Sequence, residues 1–212
     1  MVQRTVNVTS VINENVGKQR RANIDGSARP EDVGVVPDAA KPYIVVTEEG
    51  DSLVHRTILT ITALPISITD DAGVAQYGGA AIYNFPEGLI YTKGFINKGA
   101  LTLGITGTII AAFTGVNALG SATASTGSTL LTTEATFMQS TANATASASV
   151  AAISSVSAAT QLTESSSRIV DGTTTPAQLF MNFAIADDAS HTSGTGSYTG
   201  VVTFCWEKIG DR

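Results

Sequence analysis

Alternation of apolar and polar side chains with a period of two is the feature that most limits the fold of this chain. Over Leu179–Ala186 the large apolar residues fall on every second position, and Val201–Ile209 repeats the pattern with Val202, Phe204 and Trp206. Successive side chains of a strand point to opposite faces, so this spacing predicts β-strands that each bury one face. A helical period of 3.6 residues does not recur. We therefore expect an all-β protein.

Other segments show the same pattern over shorter lengths. His55–Thr62 is rich in β-branched residues, and it continues as Ile66–Thr69 after Pro65, where we expect an interruption. Thr132–Met138 is compatible with a single helical turn. The other predicted strands are separated by Gly, Pro or Asp turn signals and are Tyr43–Thr47, Ala80–Phe85, Leu89–Ile96, Leu101–Ile105, Thr108–Phe113 and Ser147–Val156. About eight strands with this punctuation fit a β-sandwich or jelly roll.

The chain carries few charges for its length. Charged residues are 14% of its 212 residues, against about 25% in an average soluble domain. The net charge of -6 disfavours a nucleic-acid binder, which needs a basic surface. No stretch approaches the roughly 20 apolar residues of a membrane helix, and no apolar signal sequence follows Met1. We expect neither nucleic acid nor a membrane as a partner.

Charge is concentrated near the N-terminus, which suggests two parts. Residues 1–52 combine prolines and glycines with basic and acidic runs, whereas only Glu134 and Glu164 are charged between Gly99 and Ser167. We predict an extended N-terminal arm over residues 1–52, with a short extended piece at Val6–Ile12, and a β-sandwich body over residues 53–212. The basic side chains predicted to dock this arm on an acidic protein surface are Lys18, Arg20, Arg21 and Arg29.

The segment between residues 120 and 160 has two alternative interpretations. Gly120–Gly127 and Thr141–Ser149 consist almost entirely of small residues, which is typical of a flexible linker. Thr, however, favours strands, so these residues could also form an uncharged sheet. Such a sheet would be prone to edge association, a cost that makes sense if its edges are covered in an assembly.

Motifs of common enzymes and cofactor sites do not occur. The sequence contains no P-loop, no His-Glu-x-x-His and no Gly-x-Ser-x-Gly. A single cysteine excludes an intrachain disulfide and a cysteine-rich zinc site. We therefore expect no cofactor, no metal ion and no enzymatic activity, and a structural or binding role instead.

Two loops contain residues that could carry chemistry. His191 and Asp187 could join a serine in a triad, but Asp187–Ser197 has the composition of a hairpin tip, which rarely holds so rigid a geometry. The acidic pairs Asp70-Asp71 and Asp187-Asp188 offer oxygen ligands for calcium, yet they lack the Asp-x-Asp-x-Asp-Gly spacing of an EF-hand. Turn formation explains both pairs better.

Two further side chains of reactive types fall within predicted strands. His55 has no second ligand type nearby in sequence, so we interpret it as a packed or surface histidine. Cys205 precedes Trp206 in a strand of buried type, and we interpret it as an inert core residue.

A set of strand-and-turn patterns follows the body of the chain, namely Val54–Thr60 with Ile66–Asp70, Ile82–Gly88, Leu131–Glu134 with Gln139–Ala142, and Asp171–Pro176 before Phe180–Ala184. In these patterns the chain resembles the capsid decoration (cement) proteins and other minor virion structural proteins of tailed bacteriophages. The resemblance covers about residues 52–210 and leaves the arm unmatched.

The resemblance implies a jelly-roll-like body that forms a homotrimer on the outer capsid surface and bridges subunits of the major capsid protein. It supplies no catalytic residues. The alternative is a tail-fibre or receptor-binding module of a virion, in which the loops Ala189–Gly200 and Gly120–Ser128 would form a polar recognition surface. A third hypothesis, an esterase or glycosidase, would depend on His191.

Overall fold

The protein is an all-β structure, as the alternation predicts. The computed structural model describes residues 34–50, 54–71, 75–104, 115–125, 130, 132–147, 150–156, 169–186 and 194–210. In these ranges the chain forms eleven strands and two short 3-10 turns, at Lys41–Tyr43 and Thr132–Ala135. The strands are β1 (Ile44–Gly50), β2 (Val54–Asp71), β3 (Ala75–Asn84), β4 (Gly88–Gly104), β5 (Gly115–Gly120), β6 (Met138–Ala142), β7 (Ala144–Ser147), β8 (Val150–Val156), β9 (Ile169–Gly172), β10 (Gln178–Ala186) and β11 (Gly194–Gly210).

All strands belong to one antiparallel sheet that curls on itself. Nine of them follow the order β6-β5-β10-β3-β2-β11-β4-β8-β7, while β1 pairs with β2 and β9 with β4. The two ends of this order, β6 and β7, are separated in the chain only by Asn143. The sheet must therefore curve until its ends meet, which is compatible with the predicted jelly-roll-like body.

The buried faces are those that the period of two predicts. His55, Thr57, Leu59 and Ile61 of β2 are all buried, as are alternate residues of β10 and β11. Aromatic rings from different strands meet in the centre, with Phe95 and Phe204 stacked at 5.2 Å between ring centroids. The other rings of this aromatic core are Tyr83, Phe85, Phe137 and Trp206.

The three longest strands differ in their bounds from the prediction. Strand β2 runs through Pro65 without a break, because a bulge at Ala63, with φ 52°, absorbs the irregularity opposite Tyr198–Gly200. Strand β4 joins two segments that were predicted as separate strands. Strand β11 begins at Gly194, so Gly194–Ser197 is strand rather than hairpin tip. The predicted strand Thr108–Phe113 lies outside the described residues.

From Met138 onward, the described part of residues 120–160 is almost entirely strand and not a linker. Strands β6, β7 and β8 all lie there, and β5 ends at its start, although no strand was predicted at Gly115–Gly120. The segment after β5 packs on the side of β10 that points away from the main core, and Asn182 is fully buried beneath it. Its amide donates to the carbonyls of Ala122 and Glu134, and its oxygen accepts from the Ala124 amide, all at 2.9 Å.

The last part of the predicted arm packs on the body. Val36 and Ala40 are buried in the main core, and Val35 forms a two-way backbone bridge with Asn84 at the end of β3. Strand β1 pairs with β2 over its whole length. The arm before Gly34 lies outside the described residues and stays a prediction.

Candidate functional site

The outward side of four adjacent strands exposes an almost uncharged surface. In one row Val45 pairs with Thr60, Thr60 with Val201, and Val201 with Lys98. In the next row Thr47, Ile58, Thr203 and Ile96 pair in the same strand order. We call these eight residues of β1, β2, β11 and β4 the outer face.

Apolar side chains on the outer face are unusually accessible. Val45 is 67% exposed, Ile96 39% and Val201 37%. Lys98 is the one charged residue among the eight. Because β-branched and threonine side chains are stiff, the face is a pre-organised surface that loses little side-chain entropy on contact. It suits docking against another protein surface better than binding a polyanion.

Charged side chains near the outer face are paired with one another. Arg56 donates to Glu49 at 2.8 Å at one edge, and Lys93 forms an ion pair with Glu207 between β4 and β11. Exposed pairs of this kind contribute only about 0–1 kcal/mol to stability. Their effect here is to lower the net charge beside an apolar surface.

A chain of hydrogen bonds converges on Glu48 behind β1. On one side the Gly34 amide donates to the Tyr83 hydroxyl at 2.9 Å, and that hydroxyl donates to Glu48 Oε1 at 2.7 Å. On the other side Trp206 Nε1 donates to Thr57 Oγ1, which donates to the same carboxylate, both at 2.8 Å. The amide and indole N–H groups can only donate and an ionised carboxylate can only accept, so each hydroxyl accepts one hydrogen bond and donates another to Glu48.

This environment shifts two pKa values. Burial raises the pKa of Glu48 above its usual value, and the hydrogen bonds from Tyr83 and Thr57 oppose this shift without cancelling it. Burial, followed by the charge of Glu48, raises the pKa of Tyr83 well above its usual value. The Tyr83 hydroxyl therefore stays protonated and donates its hydrogen bond to Glu48 over the whole physiological pH range.

A second polar chain crosses the interior where the sheet closes. Tyr198 donates to Asn97, Asn97 Nδ2 donates to Asn117 Oδ1 at 3.3 Å, and Asn117 Nδ2 donates to Asn143 Oδ1 at 2.7 Å. These residues lie on β11, β4, β5 and the β6–β7 junction. The bonds join distant parts of the strand order, so they hold the curvature of the sheet.

The structure places the two candidate reactive side chains of the strands differently. His55 is 1% exposed and stacks on Trp206 at 4.0 Å between ring centroids, in agreement with a packed histidine. The prediction that Cys205 lies in the core is wrong, because it is half-buried on the outward side of β11. Strand alternation explains the error: Trp206 takes the inward position, so its neighbour must point outward.

Most of the other predicted site residues cannot be placed. Lys18, Arg20, Arg21, Arg29, Asp187, Asp188 and His191 lie outside the described residues. The prediction that Asp70 and Asp71 form a turn is wrong, because they are the last residues of β2 and pair with Gln76 and Ala75 of β3. Sequence reasoning missed the outer face, although the threonines and valines on the polar side of each strand were a visible signal.

Searches of the described part of the chain found neither a cluster of metal-ligating side chains nor a helix long and apolar enough to cross a membrane. Comparison of the chain with protein-family models, curated proteins and solved structures gave no match.

Proposed function

We propose that the protein is a capsid decoration (cement) protein of a tailed bacteriophage, a structural component without enzymatic activity. It binds the outside of the assembled head and bridges subunits of the major capsid protein. The observation that supports this function most is the outer face, which exposes Val45, Ile96 and Val201 beside a single charge. The resemblance of the strand-and-turn patterns to such proteins points the same way.

Mass action provides the mechanism. A protein that binds the assembled shell and not its dissociated subunits stabilises the shell at each site by RT ln(1 + [L]/Kd). Many copies act on one particle, so a modest affinity at each site suffices. Contacts within a homotrimer and with the shell would cover the low-charge strands, and the basic side chains of the arm, Lys18, Arg20, Arg21 and Arg29, would contact acidic positions on the capsid.

Co-sedimentation with empty heads tests the role of the outer face. Val45→Asp places a charge on the most exposed apolar residue of that face and should weaken binding at least tenfold, since a desolvated charge without a partner is costly. Ile169→Asp is the matched control, because Ile169 is 49% exposed on β9, outside the outer face. Thermal unfolding of both variants checks that the fold is retained.

The two variants separate the outcomes. Weak binding by Val45→Asp alone supports docking through the outer face. Equal binding of both variants and the parent would contradict it, as would a parent protein that does not sediment with heads at all. A parent that binds isolated tails instead would favour the receptor-binding alternative.

A further inference from the structure

Gly94 leaves an empty position on the outward side of β4. It pairs with Cys205 of β11, which pairs in turn with Arg56 of β2, and this row lies next to the row of the outer face that contains Thr203 and Ile96. A Cβ atom at Gly94 would have no atom within 4 Å apart from its chain neighbours. We call the depression over Gly94 and Cys205 the Gly94 notch.

No contact within the molecule requires glycine at position 94. At Gly78, Gly99 and Gly200 a Cβ atom would lie 2.2, 2.4 and 2.4 Å from a backbone carbonyl oxygen, so close packing explains those glycines. Gly94 has no such neighbour, and Gly88 is the described glycine that has a positive φ. Because a glycine inside a strand weakens it, its benefit here lies in the close approach of another surface.

The same two strands show how an aromatic ring covers glycine. Gly99 of β4 pairs with Gly200 of β11, and Tyr198 lies across both of them on the inward side. Cβ atoms at these two glycines would lie 2.6 and 2.4 Å from the Tyr198 hydroxyl oxygen. An aromatic side chain over a strand glycine supplies the contacts that the glycine lacks. An aromatic ring from a partner would fill the Gly94 notch in the same way.

The side chains around the notch also favour an aromatic occupant. Arg56, which donates to Glu49, is 52% exposed at one end of the row, and Lys93 is held beside the notch by its ion pair with Glu207. Both cations are attracted to the face of an aromatic ring, and a guanidinium can stack on it while it holds a carboxylate. The sulfur of Cys205 makes a favourable contact with a ring edge. An aliphatic side chain would gain none of these interactions.

We propose that the Gly94 notch receives an aromatic side chain of the capsid subunit on which the outer face docks. This inference rests on the proposed function and adds to it the position and the chemistry of one anchor. Aromatic side chains that enter a pocket supply much of the binding energy of many interfaces. The notch thereby fixes where the partner sits on a surface that is otherwise formed by similar threonine, valine and isoleucine side chains.

Alkylation of Cys205 by iodoacetamide tests whether the notch is covered. Cys205 is the single cysteine of the chain, and it is half-buried beside Gly94, so its modification reports on this position alone. The rate is measured by mass spectrometry of the Cys205 peptide from the full-length protein. Protein bound to empty heads should be alkylated at least tenfold more slowly than free protein.

Filling the notch from within tests its role in binding. Gly94→Phe should weaken co-sedimentation with heads at least tenfold, since the position of the partner's ring is then taken. Thr102→Phe is the matched control, because Thr102 is exposed on the same side of β4, eight residues further along, and it should bind like the parent. Thermal unfolding of both variants checks the fold. Gly94→Ala should be at least as stable as the parent, because nothing obstructs a Cβ atom there.

The aromatic character of the occupant has its own test. Arg56→Gln removes a cation beside the ring and should weaken binding to heads about threefold. Lys41→Gln removes an exposed positive charge from the 3-10 turn before β1 and should leave binding unchanged. Equal binding of the two variants would overturn the aromatic assignment.

Other results would overturn the inference as a whole. If head-bound protein were alkylated as fast as free protein, the notch would be uncovered although the proposed function held. If Gly94→Ala unfolded more readily than the parent, the glycine would serve the fold and not a partner. Slower alkylation of free protein at concentrations where sedimentation shows an oligomer would assign the notch to a sister copy. A parent protein that does not bind heads would contradict both this inference and the proposed function.

Discussion

At the scale of single residues, hydrogen-bond polarity explains how the core tolerates a carboxylate. Glu48 lies behind β1 and accepts hydrogen bonds from Tyr83 and Thr57, each of which already accepts one from a donor-only group. An ionised carboxylate can only accept, so both hydroxyls must direct their O–H groups toward Glu48 while their lone pairs accept the two N–H groups. The polar cluster thereby specifies where Gly34 and β1 sit relative to β2, β3 and β11.

The raised pKa of Glu48 gives a pH dependence with a defined sign. Between the ordinary value of 4.5 and the raised value the folded chain binds more protons than the unfolded chain. The free energy of unfolding should therefore fall as pH rises through this interval and level off above it. Glu48→Gln should remove that slope, and Glu49→Gln, on the opposite face of β1, should keep it.

Urea unfolding at a series of pH values from about 4 to about 8 measures the effect. The free energy of unfolding of the parent, minus that of Glu48→Gln, should decrease as pH rises. A difference that does not change with pH, or that changes in favour of the parent, would contradict the assignment.

Removing the Tyr83 hydroxyl tests the same chain of hydrogen bonds at the residue that links Gly34 to Glu48. Tyr83→Phe leaves the Gly34 amide without its acceptor and Glu48 without one donor, so we expect a loss of about 1–3 kcal/mol in the free energy of unfolding. Tyr43→Phe removes a hydroxyl from a half-buried tyrosine that is not part of these hydrogen bonds to Glu48, and it should have little effect on the free energy of unfolding. Equal losses in the two variants would show that the hydrogen bonds of Tyr83 contribute no more to stability than the hydroxyl of Tyr43.

At the scale of elements, the sequence predicted strands well and their connections poorly. The alternation over Leu179–Ala186 placed β10 almost to the residue, because a strand with one buried face leaves a direct trace in the sequence. Pro65 was misleading, since a proline breaks a strand only where its missing N–H is needed, and the bulge at Ala63 adjusts the register beside it. Strand β5 was not predicted because its last four residues, Asn117–Gly120, are all buried, so no alternation marks the strand in the sequence.

The candidate site was harder to predict than the strands. The outer face exists only because β1, β2, β11 and β4 align Val45, Thr60 and Val201 in one row, and that register depends on pairings between residues far apart in the sequence. The convergence on Glu48 likewise joins residues from four separate strands and from Gly34. Local patterns do not contain this information.

The layer over β10 should depend on one side chain. Asn182→Ala removes three hydrogen bonds to Ala122, Ala124 and Glu134, and it leaves buried backbone groups unsatisfied. We expect a loss of about 3 kcal/mol in the free energy of unfolding, with faster amide exchange at Ala124. Asn84→Ala, which removes only an exposed bond from Gln178, should cost little. Unchanged exchange at Ala124 would show that other contacts hold the layer.

At the scale of the whole molecule, one curled sheet has an interior filled with aromatic rings and an outward side with few charged residues on its central strands. Aromatic rings fill the centre, and the asparagine chain through Asn97 and Asn117 ties distant strands together where the curve closes. The exterior of the central strands offers Val45, Ile96 and Val201 with few charges. A protein surface of this kind is typical of an interaction site, and the repeated sites of the proposed capsid would supply its partner.

A density map of the intact phage virion that is proposed to contain this protein tests the proposed function most directly. We predict copies of the eleven-stranded body at regular positions on the outer surface of the head, with the outer face turned toward a capsid or sister subunit. Density for the body at the tail tip, or a head surface without it, would contradict this account.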